Sequence, residues 1–146
     1  MVRSDLNDVL AIEKDSFEDP WQEVDFLRWL RSKDNVGNVA AVQCPSSPSA
    51  QHVLGFFLYT RHPDHLSLVN LAVAPAWRRR GIGGRMVFHL SSKLKASRRE
   101  RIITVVRESN LASQQFLRSL GFKATSVLRR HFPDTREDGY HLEYRL

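Results

Sequence analysis

Apolar side chains recur along this chain with two spacings, which predict helices in some segments and strands in others. Repeats of three or four residues predict amphipathic helices, at residues 5–15, 22–32, 82–94 and 110–120. Short runs rich in β-branched and aromatic residues predict strands, at residues 36–43, 52–60, 66–73, 101–106, 122–132 and 139–145. The order of these elements predicts the α/β fold class, with a mixed sheet that carries helices on both faces.

Turn-forming residues separate these segments. Asp19 stands before a proline and disfavours continuation of the first helix, while Pro45–Ala50 is rich in Ser and Pro and predicts a hairpin loop. Asn110 lies where a helix N-cap belongs, and Pro133–Arg136 is a turn by composition. A chain of 146 residues without an internal repeat is of ordinary size for one domain, so we expect a single domain over residues 1–146.

The segment between the third strand and the third helix carries the most specific chemistry. It reads Arg78-Arg79-Arg80-Gly81-Ile82-Gly83-Gly84. Glycines let a backbone approach a ligand closely, and free N–H groups at a helix start attract anions. The Lys-Ser or Lys-Thr of a P-loop is absent, and Met86 takes the place of the third glycine of a dinucleotide fingerprint. The turn therefore predicts a phosphate-bearing ligand of another kind.

Charge and composition narrow the range of partners. The net charge is +6, and the segment from Arg78 to Arg107 holds ten Lys or Arg against the single acid Glu100. The positive electrostatic field of these residues would steer an anionic coenzyme to the protein. A protein surface that binds nucleic acid or the ribosome would show the same excess of positive charge. Cys44 is the only cysteine, no apolar run is long enough to span a membrane, and no metal-ligand spacing occurs. We therefore expect a cytoplasmic protein without a metal or a membrane partner.

Three stretches resemble the GNAT superfamily of N-acetyltransferases. Arg78, Gly81 and Gly83 match its coenzyme A loop, which has Gln or Arg, then Gly after two residues and Gly or Ala after one more. Residues 107–122 are similar to the family segment that ends in Gly-Phe, and residues 12–21 to its opening helix and loop. Residues 70–73 and the 129–138 hairpin resemble the branch that acetylates ribosomal-protein alanine.

This resemblance implies a GNAT fold: six to seven strands in a mixed sheet, about four helices and splayed central strands. The family opens with one more strand, for which only Met1–Arg3 are available here, so that strand is either vestigial or the chain starts later than its relatives. The co-substrate implied is acetyl-CoA. The residues implied to hold it are Leu71, Ala72, Val73, Arg78, Arg79, Arg80, Gly81, Ile82, Gly83, Gly84, Arg85, Asn110 and Ser113.

The catalytic pair of the family does not carry over. Val105 occupies the position of its glutamate base, and Leu117 that of its tyrosine acid. The substitutes that the resemblance leaves are Glu18 in the loop after the first helix, and His131 and Tyr140 on the last two strands. The catalytic residues therefore stay unassigned at this point.

The resulting expectation is an acyltransferase that moves an acetyl group from acetyl-CoA to a primary amine in a ternary complex. A protein N-terminal α-amine is favoured over a lysine, because its pKa near 7.7–8.0 leaves about a tenth of it neutral at pH 7 without a base. The alternatives are a small-molecule amine as acceptor, a non-catalytic acyl-CoA-binding module, and a basic protein of the ribosome or of nucleic acid. The pattern is compatible with ribosome association, and with a monomer or a homodimer.

Overall fold

The computed structural model describes residues 1–146, apart from the side chain of Pro48. Six strands form one mixed sheet in the order β1-β2-β3-β4-β6-β5. Their bounds are β1 Asn35–Cys44, β2 Ser47–Arg61, β3 His65–Val73, β4 Arg101–Arg107, β5 Lys123–Phe132 and β6 Glu137–Arg145. All neighbouring strands are antiparallel except β3 and β4, which are parallel.

Four α-helices cover the two faces of this sheet. They are α1 Leu6–Ser16, α2 Glu23–Trp29, α3 Ile82–Ser97 and α4 Leu111–Ser119. The alternation of side chains along β2 serves both faces: Phe56 and Leu58 pack with α1 and α2, whereas Phe57 and Tyr59 pack with α3 and α4. The predicted fold class is confirmed, with helices on both faces and six strands.

Several predicted boundaries are wrong. The third helix, for example, extends to Ser97 instead of residue 94. The second helix ends at Trp29 instead of residue 32, because the side chain of Asn35 donates to the Trp29 carbonyl at 2.8 Å and takes an acceptor of the last turn. The predicted Pro45–Ala50 loop is a tight turn, and β2 already begins at Ser47, paired with Cys44. Pairing along the sheet edge has overridden the turn-like composition of this segment.

The chain start forms no strand. Residues Arg3–Asp5 make a 3-10 turn, and the Met1 amino group donates to the Gly37 carbonyl at 2.8 Å. Among the helices that the structure describes, none is both long and apolar enough to cross a lipid bilayer.

Candidate active site

The parallel pair of β3 and β4 comes apart after three residues. Pairing joins His65–Ser67 to Arg101–Ile103 and ends there. Just beyond, the buried Thr104 donates its hydroxyl to the Leu68 carbonyl at 2.9 Å, so that a side chain replaces the next ladder hydrogen bond. The splayed central strands implied by the resemblance are therefore present.

A cleft of about 220 Å³ fills the space between the parted strands. Its walls are mostly apolar, and its polar side chains belong to Asn70, Thr104, Arg107, Asn110 and Ser113. The apolar lining residues are Phe17, Leu68, Val69, Leu71, Val105, Val106, Phe116, Leu117 and Phe132. Among the described residues, no carboxylate, imidazole, phenol or thiol lines this cleft.

The basic turn after β3 leaves its backbone donors free. Arg79 and Gly81 have positive φ angles of 61° and 78°, and Arg85 donates the first helical hydrogen bond of α3, to the Gly81 carbonyl at 3.0 Å. Within the part of the chain that the structure describes, the N–H groups of Arg79–Gly84 have no acceptor. Free amides at the positive end of a helix dipole are a ready anion site.

A second cavity of about 700 Å³ adjoins this turn. Of the predicted coenzyme residues, the following line it: Leu71, Ala72, Val73, Arg78, Arg79, Gly81, Ile82, Gly83, Gly84, Asn110 and Ser113. The cavity and the cleft share five lining residues, namely Phe17, Leu71, Asn110, Ser113 and Phe116. The two spaces therefore lie next to each other along these five residues.

The arginines of the turn have different surroundings. Arg78 donates to the Val73 carbonyl and to the Ser16 hydroxyl, both at 3.0 Å, and Arg80 lies over the Trp77 ring at 4.9 Å. Arg85 lines a different cavity, between α3 and the β1–β2 strands. Two of these arginines, Arg78 and Arg79, line the large cavity. Of the two, only Arg79 makes no side-chain hydrogen bond or ion pair among the described residues.

Asn110 both caps helix α4 and lines the two cavities. Its side-chain oxygen accepts from the Ser113 backbone N–H at 3.1 Å and so caps α4. The predicted N-cap is confirmed, and the capping bond leaves the Asn110 side-chain nitrogen and the Ser113 hydroxyl beside the wall that both cavities share.

The two positions that the resemblance aligns with the family's catalytic pair both line the cleft but carry no ionisable or nucleophilic side chain. Val105 and Leu117 line it. The substitutes Glu18, His131 and Tyr140 line neither the cleft nor the large cavity. Tyr140 packs against the core that α3 and α4 cover, and His131 lies edge-to-face on Phe132.

A buried carboxylate behind the cleft escapes prediction from the sequence. Glu13 is 2% exposed, and its two oxygens accept from the Trp21 backbone N–H at 3.0 Å and from the Asn70 side-chain nitrogen at 2.9 Å. Burial raises the pKa of Glu13, while these two hydrogen bonds lower it. One pattern could have revealed it: Glu13 continues the helical apolar stripe of Leu6 and Val9.

Charged groups fasten the β5–β6 turn beside the cleft. The Arg107 guanidinium lies 4.0 Å from the centre of the Phe132 ring and binds both oxygens of Asp134 at 3.0 Å. The hydrogen bond to Asp134 raises the pKa of Arg107, and the same bond lowers the pKa of Asp134. Glu137 adds a longer contact of 3.8 Å. Since Arg107 and Phe132 both line the cleft, this pairing holds one of its walls in place.

Known proteins are similar to this chain in sequence. The acetyltransferase (GNAT) family matches residues 6–122. The ribosomal protein bS18-alanine N-acetyltransferase of Escherichia coli is 35% identical over 77 residues, which cover 51% of this chain and 52% of that protein, about half of each. The enzyme of the same name from Salmonella typhimurium is 28% identical over 131 residues, which cover 89% and 82%.

Solved structures agree in fold. The crystal structure of the Escherichia coli ribosomal-protein-S18-alanine N-acetyltransferase has a TM-score of 0.81 at 24% identity and covers 99% of this chain and 90% of that one. A GNAT family acetyltransferase from Elizabethkingia anophelis with acetyl-CoA bound has a TM-score of 0.73 at 16% identity, with 96% and 90% covered. Because the family match extends over most of its length, this chain belongs to the acetyltransferase (GNAT) family of N-acetyltransferases.

Proposed function

We propose that this protein transfers the acetyl group of acetyl-CoA to the α-amine of a protein N-terminus, by direct attack in a ternary complex. One observation carries the proposal: the cavity beside the amide turn and the cleft between β3 and β4 adjoin each other, with five lining residues in common. The activity named for the bacterial relatives, alanine N-acetylation of a ribosomal protein, supports the choice of acceptor. The neighbour with acetyl-CoA bound supports the choice of donor.

The coenzyme takes the large cavity in this proposal. Its diphosphate lies on the free N–H groups of Arg79–Gly84, and Arg79 adds a charge that no protein group among the described residues neutralises. Its pantetheine arm follows Leu71–Val73, because the cleft-side edge of β3 has no strand partner there. Asn110 and Ser113 flank the thioester end. Arg78, Arg80 and Arg85 act indirectly, through the fold or the local field.

Acetyl transfer is feasible here without the family's acid and base. A neutral α-amine attacks the thioester carbonyl carbon, the new carbon–nitrogen bond forms, and the carbon–sulfur electron pair leaves on the coenzyme thiolate. The surplus amine proton passes to water. General acid–base help contributes about 10²–10⁴-fold, so its absence slows the step without preventing it. A lysine side chain with a pKa near 10.4 would remain protonated and unreactive.

The test is acceptor-dependent release of free thiol from acetyl-CoA. We would use heptapeptides that begin with Ala, Ser, Gly or Met, their N-acetylated forms, a blocked peptide with one lysine, and a small diamine. We expect thiol release and an adduct of one acetyl group only with free N-termini. The rate should rise with pH, be half-maximal near pH 7.7–8.0 and level off above it. A rise that continues towards a pH of about 10.4 would identify lysine as the acceptor instead.

A second candidate function follows from the composition of the cleft. Since no acid or base lines it among the described residues, a non-catalytic acyl-CoA-binding module is the runner-up. Calorimetric binding of acetyl-CoA without thiol release for any acceptor would favour this module.

We further propose residues 1–146 as one acetyltransferase domain, because a single six-stranded sheet runs through them. Action in the cytoplasm, contact with the ribosome, and a monomeric or homodimeric state stay predictions. Salt-dependent sedimentation with ribosomes tests the contact with the ribosome, and size-exclusion chromatography tests the oligomeric state.

A further inference from the structure

We propose that Asn70 holds the acceptor amine through its side-chain oxygen, and that Glu13 is the positioning residue that turns this oxygen towards the cleft. This inference rests on the proposed function and names the group that receives its acceptor. Neither residue belongs to the motifs of the coenzyme turn, and neither was expected to take part in catalysis.

The position of Asn70 suits the acceptor rather than the coenzyme. Asn70 lines the 220 Å³ cleft but not the 700 Å³ cavity beside the turn. Asn110 and Ser113, by contrast, lie on the wall that the two spaces share. A group bound at Asn70 therefore meets the thioester from the side away from the diphosphate, as an attacking amine must.

The orientation of the Asn70 amide is dictated by its partner. Glu13 is 2% exposed, and one of its oxygens is already bound by the Trp21 backbone N–H at 3.0 Å. A carboxylate only accepts hydrogen bonds, so the Asn70 side chain must turn its NH₂ group to the other oxygen, at 2.9 Å. The Asn70 oxygen then points away from Glu13. It makes no hydrogen bond among the described residues and is not one of their buried unpaired atoms, so it is accessible, and Asn70 lines the cleft.

The two other polar side chains that line the cleft but not the large cavity are already engaged. The Thr104 hydroxyl donates to the Leu68 carbonyl, and the Arg107 guanidinium is bound by Asp134. A free carbonyl oxygen among apolar walls needs an N–H or O–H donor when water is displaced. A neutral amine supplies such a donor while its lone pair stays available for the thioester carbon, so the Asn70 oxygen orients the amine and takes no proton.

The substitution Glu13→Gln tests this idea with an almost unchanged shape. The Trp21 N–H still requires an oxygen, so the new amide nitrogen faces Asn70 and donates to it. The Asn70 side chain must then flip, and it presents NH₂ to the cleft instead of its oxygen. We expect kcat/KM for the acceptor peptide to fall about 10- to 100-fold, with the Kd for CoA within about twofold of the original.

A double-mutant cycle separates this role from a structural one. In an Asn70→Ala background, the same Glu13→Gln change should alter kcat/KM by less than about twofold, because the oxygen it redirects is gone. The matched controls are Glu23→Gln on exposed α2 and Asn7→Ala on exposed α1. Equal losses from Glu13→Gln with and without Asn70 would overturn the inference, as would a loss confined to CoA affinity.

Two direct measurements keep the inference testable if the wild-type protein does not turn over. In ¹H–¹⁵N NMR spectra, the Asn70 side-chain NH₂ should exchange slowly in the original protein and rapidly after Glu13→Gln. An alanine heptapeptide should bind the CoA complex, and bind more weakly after Asn70→Ala. Thiol release that is unaffected by Glu13→Gln, Asn70→Ala and their combination contradicts this inference alone. Absence of both thiol release and peptide binding contradicts the inference and the proposed function together.

Discussion

The two ends of the β3–β4 pair are built in opposite ways. At the His65–Ser67 end the strands are hydrogen-bonded, and Arg101 joins Asp64 at 2.7 Å and Glu143 at 3.5 Å across the neighbouring elements. At the other end the strands part around a cleft, and the nearby turn leaves a row of amides without acceptors among the described residues. One strand pair can therefore be closed for stability at one end and open for ligands at the other.

The transition between the two ends depends on single side chains. The Thr104 hydroxyl occupies the Leu68 carbonyl where the ladder stops, and Arg78 takes the Val73 carbonyl where β3 ends. Each contact gives a hydrogen-bond donor to a backbone carbonyl at a place where the neighbouring strand supplies none. Buried or half-buried carbonyls require such a partner. The opening is thus held by hydrogen bonds of its own and not simply by a lack of pairing.

The largest effect should come from a charge at the open end. Gly81 has φ +78°, and no atom lies within 4 Å of the point where a Cβ would stand, so Gly81→Asp fits sterically at some backbone strain. Its carboxylate would stand beside the diphosphate, and we expect the Kd for CoA to rise more than about 100-fold. Gly81→Asn is the control of equal shape without charge. Similar CoA binding by both variants in calorimetry would show that the turn does not hold the diphosphate.

A smaller effect is expected where the ladder ends. Thr104→Val keeps the shape and removes the hydroxyl, which leaves the Leu68 carbonyl without its partner. We expect the free energy of unfolding to fall by about 1–3 kcal/mol, measured by urea denaturation. Thr104→Ser keeps the hydroxyl and serves as the control. Equal stability of the Val variant and the original protein would refute the proposed replacement of the ladder bond.

The two neighbouring arginines of the turn should behave differently. Arg78→Ala removes the bonds to Val73 and Ser16, and we expect the free energy of unfolding to fall by about 1 kcal/mol. Arg79→Ala should leave stability unchanged and weaken CoA binding several-fold. Urea denaturation and calorimetry measure the two effects. If Arg78→Ala weakened CoA binding more than Arg79→Ala did, the assignment of these two side chains would be reversed.

The smallest effect belongs to the closed end and appears only in acid. The hydrogen bond from Arg101 lowers the pKa of Asp64 from 3.8 to about 2, with a smaller effect from His65. A carboxyl group whose pKa is lower in the folded state than in the unfolded state stabilises the fold at any pH above its unfolded-state pKa. This stabilisation is lost as the pH falls towards the folded-state pKa. In urea denaturation, we expect Asp64→Asn to flatten the loss of stability between about pH 4 and pH 2. CoA binding at neutral pH should not change; a change would mean that the two ends are coupled.

Much of the fold could be predicted from local patterns, and the errors have specific causes. Asn110 was predicted correctly as a helix cap, because capping involves residues three positions apart. The end of α2 was misplaced because it depends on Asn35, six residues away across a turn. The hairpin at Pro45 was predicted too long because composition does not register how far two strands pair.

The candidate site likewise has a part that could be predicted from local sequence and a part that could not. The amide turn was predictable, since its donors come from consecutive backbone groups whose geometry glycine and a helix start impose. The partners of Arg78 and Arg80 were not, because an arginine reaches whichever acceptor or ring the fold brings near. The orientations of His131 and Tyr140 likewise depended on strand register, which a shift of one residue reverses.

By itself, the sequence determined the order of elements, the basic glycine turn, and the absence of a glutamate and a tyrosine at positions 105 and 117. These are local properties, set by backbone preference and residue identity. Only the tertiary structure decided that the cleft is open and that Glu13 meets Asn70, which lies 57 positions further along the chain. The physical reason is that a side chain's partner is chosen by packing between distant segments, which no short stretch of sequence encodes.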